Sequence, residues 1–297
     1  MKKRVIIDTD PGLDDALAVL FALGCGQFDV LGLTTVAGNI GLDRTTSNAG
    51  GLLAVMERGD IPVIRGTDIP LTRELQDLVA IVHGADGLKG IALPEPLSTP
   101  LDDAPGWIAR ALAAAEPGSI DILALAPLTN IAHVLTEHPE VVDRIGEIIV
   151  MGGTISEPGN SGPNSEFNFA SDPEAVSVIL GSSAKVTIIP LDVTRKVRAS
   201  VDYVNALPDT VHGRLARELL TAYLQDGRQS RPLHDPCVML MALDPGIFTL
   251  EKLRLDVDLG EEPDAGRLLV DRRGMPVDVA LGVDVDRALA LLRTGFA

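Results

Sequence analysis

The sequence predicts one α/β domain, with a mostly parallel central sheet flanked by helices in a Rossmann-like arrangement. Three observations carry that expectation. Short apolar runs suited to buried strands alternate with helical patterns over most of the chain. The first run, Val5-Ile6-Ile7, is broken by Pro11-Gly12 and followed by Leu13, Ala16, Leu17 and Leu20 at helical spacing, which reads as strand, turn and helix. No low-complexity linker, internal repeat or sharp charge shift divides residues 1–297, so they are read as a single domain.

The remaining elements follow in order. Val30–Val36 reads as a strand, about Arg44 to Met56 as a helix, and Pro62–Ile64 as a short extended run. The Pro- and Gly-rich stretch Leu93–Pro105 reads as a loop before a helix over Trp107–Ala115 and a strand over Ile120–Leu125. A helix begins near Leu128, and Ile145–Met151 is a strand ending in Gly152-Gly153. After the loop Ser156–Pro163, the segment Pro173–Leu180 reads as helix and Val186–Ile189 as strand. Leu253–Leu259 and Leu268–Val270 look like strands, and Arg287–Leu292 like a closing helix.

Composition limits the function classes. The formal net charge is −17, and no basic run exceeds Lys2-Lys3-Arg4, which argues against nucleic acid and anionic membrane partners. The two cysteines, Cys25 and Cys237, form no CxxC pair and no disulfide framework, so a reduced cytoplasmic setting is expected. No stretch reads as a signal peptide or a membrane span.

The chemistry concentrates after the first strand, where Asp8, Asp10, Asp14 and Asp15 sit at the strand–helix junction. Ligands of open α/β sheets bind at the carboxyl ends of strands. Four close carboxylates repel one another unless a cation is bound, and carboxylate oxygen suits a hard divalent ion. Helix capping would account for Asp14 and Asp15 but not for Asp10 or Asp8. Asn39 follows Gly38 in a turn after the second strand, and His83 and Asp86 lie among glycines in a segment that reads as a mobile loop or a solvated turn. Pro127 frees carbonyls at the end of the strand before it. Asn160, Glu166 and Asn168 follow another strand and are residue types suited to sugar hydroxyls; in extended chain Glu166 and Asn168 would face one way. Asp172-Pro173 reads as a helix cap and first turn. His234-Asp235 precedes Pro236, which should open a helix, and a His beside a carboxylate suits general-acid work.

DTDPGLDDALAV, AGN, HGADGL, the PLTN turn, the Asn160–Glu166–Asn168 loop with DPEA, and HDPC occur in the order found in nucleoside hydrolases. The chain resembles the inosine–uridine-preferring group of that family from end to end. The resemblance implies hydrolysis of the N-glycosidic bond of ribonucleosides to ribose and free base, with a bound Ca²⁺ ion. It implies metal ligation by Asp10, Asp15, Asp235 and a backbone carbonyl placed at Leu125, with Asp10 also acting as base on the attacking water. It further implies that Asp14, Asn39, Asn160, Glu166 and Asn168 hold the ribose, that His83 lies in a loop over the pocket, and that His234 faces the leaving base as acid. Relatives are homodimers or homotetramers, so the same is expected here. The helix before HDPC is expected to carry Tyr223, Gln225, Arg228 and Arg231 toward the base; the preference between purine and pyrimidine stays open. Two rival readings fit less well. A haloacid-dehalogenase-type phosphatase would share Asp8-Thr9-Asp10 but is poorly served by Pro11-Gly12 and Asp14-Asp15. A nucleoside-binding protein without turnover would have no need of Asp10 or His234.

Overall fold

The central parallel strands are largely buried on both sides, as their place between two helical layers requires. In β1 (Lys3–Thr9), Val5 and Ile7 join one core while Ile6 joins the other, following the two-residue period of a strand. The computed structural model describes residues 2–74, 83–225, 227–261 and 263–297. After β1 come α1 (Leu13–Gly24), β2 (Phe28–Thr35), α2 (Leu42–Val55), β3 (Val63–Arg65), α3 (Ala104–Ala114) and β4 (Ile120–Ala124). Then follow α4 (Thr129–Glu137), β5 (Ile145–Met151), α5 (Phe167–Ser171), α6 (Pro173–Leu180), β6 (Val186–Ile189) and α7 (Leu191–Thr194). The last third contains β7 (Arg198–Ser200), α8 (Val201–Asn205), α9 (Val211–Tyr223), β8 (Ser230–Pro232) and α10 (Pro236–Leu243). It ends with β9 (Phe248–Val257), β10 (Leu268–Val270), β11 (Met275–Val283) and α11 (Val285–Thr294).

Among the described residues, nine strands form one sheet in the order β10-β9-β11-β6-β5-β4-β1-β2-β3. Neighbours from β3 to β11 run parallel, and β9 and β10 add an antiparallel edge. Residues of α1, α9, α10 and α11 share one core with Leu33, Leu123 and Ile189. Those of α3, α4 and α6 share the other with Ile122, Ile148 and Ile188. The strand order reverses between β1 and β4, where an open α/β sheet parts at its carboxyl edge to leave a crevice. The Leu125 amide donates to the Asp8 carbonyl at 2.8 Å, which keeps the ends of these two strands side by side.

Several expected boundaries move. The helix expected from Trp107 starts at Ala104, because Asp103 accepts the Gly106 amide as N-cap and Pro105 tolerates the first turn. The strand expected at Leu253–Leu259 is β9, which starts at Phe248 and ends at Val257. Its partner β11 gave no clean alternating signal and escapes the sequence reading, as does the small β7–β8 pair. Glu166 and Asn168 do not lie on extended chain: Glu166 N-caps α5, accepting the Asn168 and Phe169 amides. The helix expected to carry Tyr223 through Arg231 ends at Tyr223, and Arg231 belongs to β8.

Candidate active site

The crevice floor is built by the start of α1, a helix whose N-cap, Gly12, has no side chain with which to cap it. The free amides are satisfied from elsewhere. Asp15 folds back so that Oδ2 accepts the Gly12 amide at 3.1 Å, while Oδ1 accepts the Asp10 amide at 3.2 Å and the Thr9 hydroxyl at 2.7 Å. The Leu13 amide donates to His83 Nδ1 at 3.0 Å, across a sequence separation of 70 residues. Asn39 closes the arrangement: its amide donates to Asp10 Oδ2 at 2.5 Å, and its Nδ2 donates to the Asp10 carbonyl at 3.2 Å and to Asp15 Oδ2 at 3.0 Å. Two glycines are required by space. A Cβ on Gly38 would overlap the Asp10 carboxylate, and one on Gly12 would stand 2.6 Å from His83 Nδ1 and 2.9 Å from Asn39 Nδ2.

The floor is strongly acidic. Asp14, Asp15 and Asp235 are buried, and one carboxylate oxygen from each lies within 4.8 Å of the others. Asp235 occupies the N-cap position of α10 without capping it, so its carboxylate is spent on the cluster rather than on the helix. Asp10 stands beside this group, with Oδ1 buried and unpartnered among the described residues. Burial and then the charge of Asp15 push the Asp14 carboxyl up to about 7. The same two causes raise Asp10 well above the carboxylate range, and burial with Asp14 and Asp15 does so for Asp235. An orphaned oxygen, all-oxygen donors and mutual repulsion together suit a hard divalent cation. Asp8 lies one layer back and accepts the Thr34 hydroxyl at 2.5 Å and Asn130 Nδ2 at 2.8 Å, so its role is to tie β1 to β2 and α4.

The second wall follows β5. Glu166 Oε2 accepts the Gly153 and Phe169 amides and Oε1 accepts the Asn168 amide, while burial lifts its carboxyl to about 7. Asn168 Nδ2 donates to the Leu125 and Met151 carbonyls at 2.8 and 3.1 Å, leaving its oxygen as acceptor. Asn160 Oδ1 accepts the Phe167 amide at 2.8 Å, leaving its NH₂ as donor.

The third wall follows β6. Asp192 in α7 accepts the amides of Ile155, Ser156 and Glu157 and the Thr154 hydroxyl, and Arg195 donates to the Pro158 and Gly159 carbonyls. These bonds hold the loop that leads to Asn160. Thr194 Oγ1 lies 2.8 Å from His234 Nδ1. Burial, then the positive charge of Arg195, lowers His234 to about 3, and burial lowers His83 to about 4, so both imidazoles are neutral at pH 7. The Tyr223 ring stacks on His83 with centroids 6.3 Å apart, and the Arg231 guanidinium lies over the Tyr223 ring, 5.0 Å from its centroid.

These walls enclose a cavity of about 440 Å³, a size suited to a small ligand. Of the residues singled out from sequence, Asp14, Asn39, His83, Leu125, Asn160, Glu166, Asn168, Tyr223, Arg231, His234 and Asp235 line it, while Gln225 and Arg228 do not. Asp10 and Asp15 lie directly beneath, bonded to Asn39. The segment after His83 is stitched down rather than loose: Asp86 accepts the Leu88 and Gly90 amides, and Asn48 donates to the Asp86 carbonyl. Sequence reading missed Met151, Phe167 and Pro263 on the lining and Thr194 behind His234. Thr194 carried one usable signal, its place in the first turn after a parallel strand.

Comparison with known proteins agrees with this geometry. Residues 5–290 match the family model described as inosine-uridine preferring nucleoside hydrolase. The non-specific ribonucleoside hydrolase RihC of Klebsiella pneumoniae is 38% identical over 297 residues, covering 96% of this chain and 95% of its own. An uncharacterised protein of Schizosaccharomyces pombe is 37% identical over 276 residues, covering 90% of this chain and 89% of its own. Among solved structures, the plant nucleoside hydrolase PpNRh1 superposes with a TM-score of 0.91 at 32% identity, covering 100% of both chains. The purine-preferring ribonucleoside hydrolase from Gardnerella vaginalis gives 0.92 at 28% identity, covering 99% of this chain and 98% of its own.

Proposed function

The chain belongs to the inosine-uridine preferring nucleoside hydrolase family and is an N-glycosidase acting on ribonucleosides, and from that premise we propose a Ca²⁺-dependent reaction in which Asp10 activates the attacking water. The observation that carries the proposal is the convergence of Asp14, Asp15 and Asp235 within 4.8 Å beside the orphaned oxygen of Asp10. Asp10, Asp15, Asp235 and the Leu125 carbonyl would hold the ion. Calcium bound there would cancel the repulsion among the carboxylates and gather ribose hydroxyls and a water at one point.

The side chains then divide the work. Asp10 Oδ1 is free to take a proton as water attacks C1′. Asp14, Asn160, Glu166 and Asn168 hold ribose hydroxyls, with Asn160 as donor and Asn168 oxygen as acceptor. Cleaving the ribosyl bond builds positive charge on the sugar, and the buried carboxylates of Asp14 and Glu166 stabilise that charge more than the neutral ground state. Asn39 keeps Asp10 and Asp15 in place. The departing base gains electrons and needs a donor. His234 faces it as a neutral imidazole, giving a hydrogen bond that strengthens as negative charge grows on the base.

Relatives differ in preference, from the non-specific RihC of Klebsiella pneumoniae to the purine-preferring enzyme of Gardnerella vaginalis, so the substrate panel is part of the test. Assembly as a homodimer or homotetramer and a cytoplasmic location belong to the same reading. Among the described residues no helix is long and apolar enough to cross a membrane. Reducing-sugar release would be measured on inosine, guanosine, adenosine, uridine and cytidine, with calcium and with chelator. The expected result is ribose release that chelation abolishes and added calcium restores. Release that survives exhaustive chelation would refute the metal-dependent scheme.

A further inference from the structure

We propose that Thr194 is a positioning residue that fixes His234 as the Nε2–H tautomer, with that N–H presented to the leaving base. The inference rests on the reading of His234 just given and extends it to a residue outside the cavity lining. Thr194 is 0% exposed, and its hydroxyl lies 2.8 Å from His234 Nδ1. Two hydrogen placements are compatible with that distance. If the hydroxyl donates, Nδ1 is the bare nitrogen and Nε2 carries the proton. If Nδ1–H donates instead, the buried hydroxyl proton needs another acceptor, and Thr194 Oγ1 makes no other hydrogen bond among the described residues. An unsatisfied buried donor is unfavourable enough to make the first placement dominant. Only in that tautomer does the nitrogen on the cavity side carry a hydrogen to offer; in the other, a bare Nε2 would meet the lone pairs of the departing base and repel them.

The device is reinforced by its position. Thr194 closes α7, whose Asp192 anchors the loop leading to Asn160, so one short helix sets both the base wall and part of the ribose wall. His83 uses a parallel solution: its Nδ1 accepts the Leu13 amide at 3.0 Å, a donor that cannot reverse, so its proton also sits on Nε2. In His234 the choice is left to a rotatable hydroxyl, which makes it testable by a near-isosteric change.

Thr194→Val removes the hydroxyl and keeps the shape; Thr194→Ser restores it. The full-length protein with calcium present, labelled with ¹⁵N in histidine, is read by imidazole nitrogen shifts assigned through His234→Ala. The parent protein and Thr194→Ser should show a bare Nδ1 and a protonated Nε2, and Thr194→Val a mixture. Turnover of inosine by Thr194→Val should fall on the order of tenfold, with p-nitrophenyl riboside unchanged because its leaving group needs little help. Retention of a pure Nε2–H tautomer in Thr194→Val overturns the inference. So does an equal loss on both substrates, which would mark Thr194 as a packing residue. An equal loss on both substrates in His234→Ala would instead remove the premise about the leaving base, while the nitrogen shifts still decide whether Thr194 sets the tautomer.

Discussion

Calcium should raise the melting temperature of the chelated protein by about 4 °C when present at a hundredfold excess over its dissociation constant. At that excess a ligand bound only by the native state contributes about 2.7 kcal/mol. Unfolding entropy is about 2.1 cal/mol/K per residue, or about 0.6 kcal/mol/K for a chain of 297 residues, which converts the gain to about 4 °C. The structure also predicts what one charge is worth. Asp235 is buried beside Asp14 and Asp15 and does not cap its own helix. Asp235→Asn should therefore melt above the chelated parent, by about 1–2 °C for each kcal/mol of repulsion relieved, and should lose the calcium response. The sign with pH follows from the raised carboxyls of Asp10, Asp14 and Asp235. Between the unfolded value near 4 and the native values, the native state binds more protons, so the chelated protein loses stability as pH rises through about 7. The calcium increment should accordingly be larger at pH 8 than at pH 5.5. Differential scanning calorimetry over three decades of calcium, with magnesium as control, measures all of this. No shift at any concentration, or an Asp235→Asn protein that responds like the parent, would refute the reasoning.

Other variants probe the rest of the floor. Asp10→Ala should lower turnover roughly a thousandfold or more, since it removes the base and the oxygen that faces the cluster; near-normal ribose release would exclude Asp10 as the base. Gly12→Ala introduces a Cβ 2.6 Å from His83 Nδ1 at a backbone position with an ordinary φ of −95°, so its penalty is overpacking alone, about 1–3 kcal/mol or about 2–5 °C in melting temperature. His83→Ala removes the nearest obstruction, so the double variant should be less destabilised than the sum of the two singles; strict additivity would show that the glycine is not there to admit the imidazole.

The sequence exposed the parallel half of the fold because its strands are buried on both faces and read as unbroken apolar runs, as Val5-Ile6-Ile7 and Ile145–Met151 do. It concealed β11, whose Met275 and Pro276 are exposed and whose apolar residues are interrupted by Asp278 and Gly282. The acidic floor was legible for a different reason: carboxylates packed around a Pro-Gly turn have few structural uses. What could not be read was how side chains are spent. Asp15 bonds four donors from Thr9, Asp10, Gly12 and Asn39, while Asp235 two hundred residues later bonds none of its own helix. Glu166 and Asn168 looked like an alternating pair on extended chain, yet Glu166 gathers backbone amides and turns the chain into α5. Such choices depend on which amides the fold leaves open, and that is a property of three-dimensional neighbours.

Strand β11 is synthesised after every other strand, yet it lies between β6 and β9 inside the sheet. While a ribosome is still making the last part of the chain, β6 therefore has a bare flank along its hydrogen-bonding edge. Asp235 also arrives late, so the acidic nest stays open to surrounding ions and incomplete until most of the polypeptide has emerged. Calcium should then act as a seal on a finished molecule rather than as a template for an early intermediate, and C-terminal truncations should misassemble before they lose affinity for sugar.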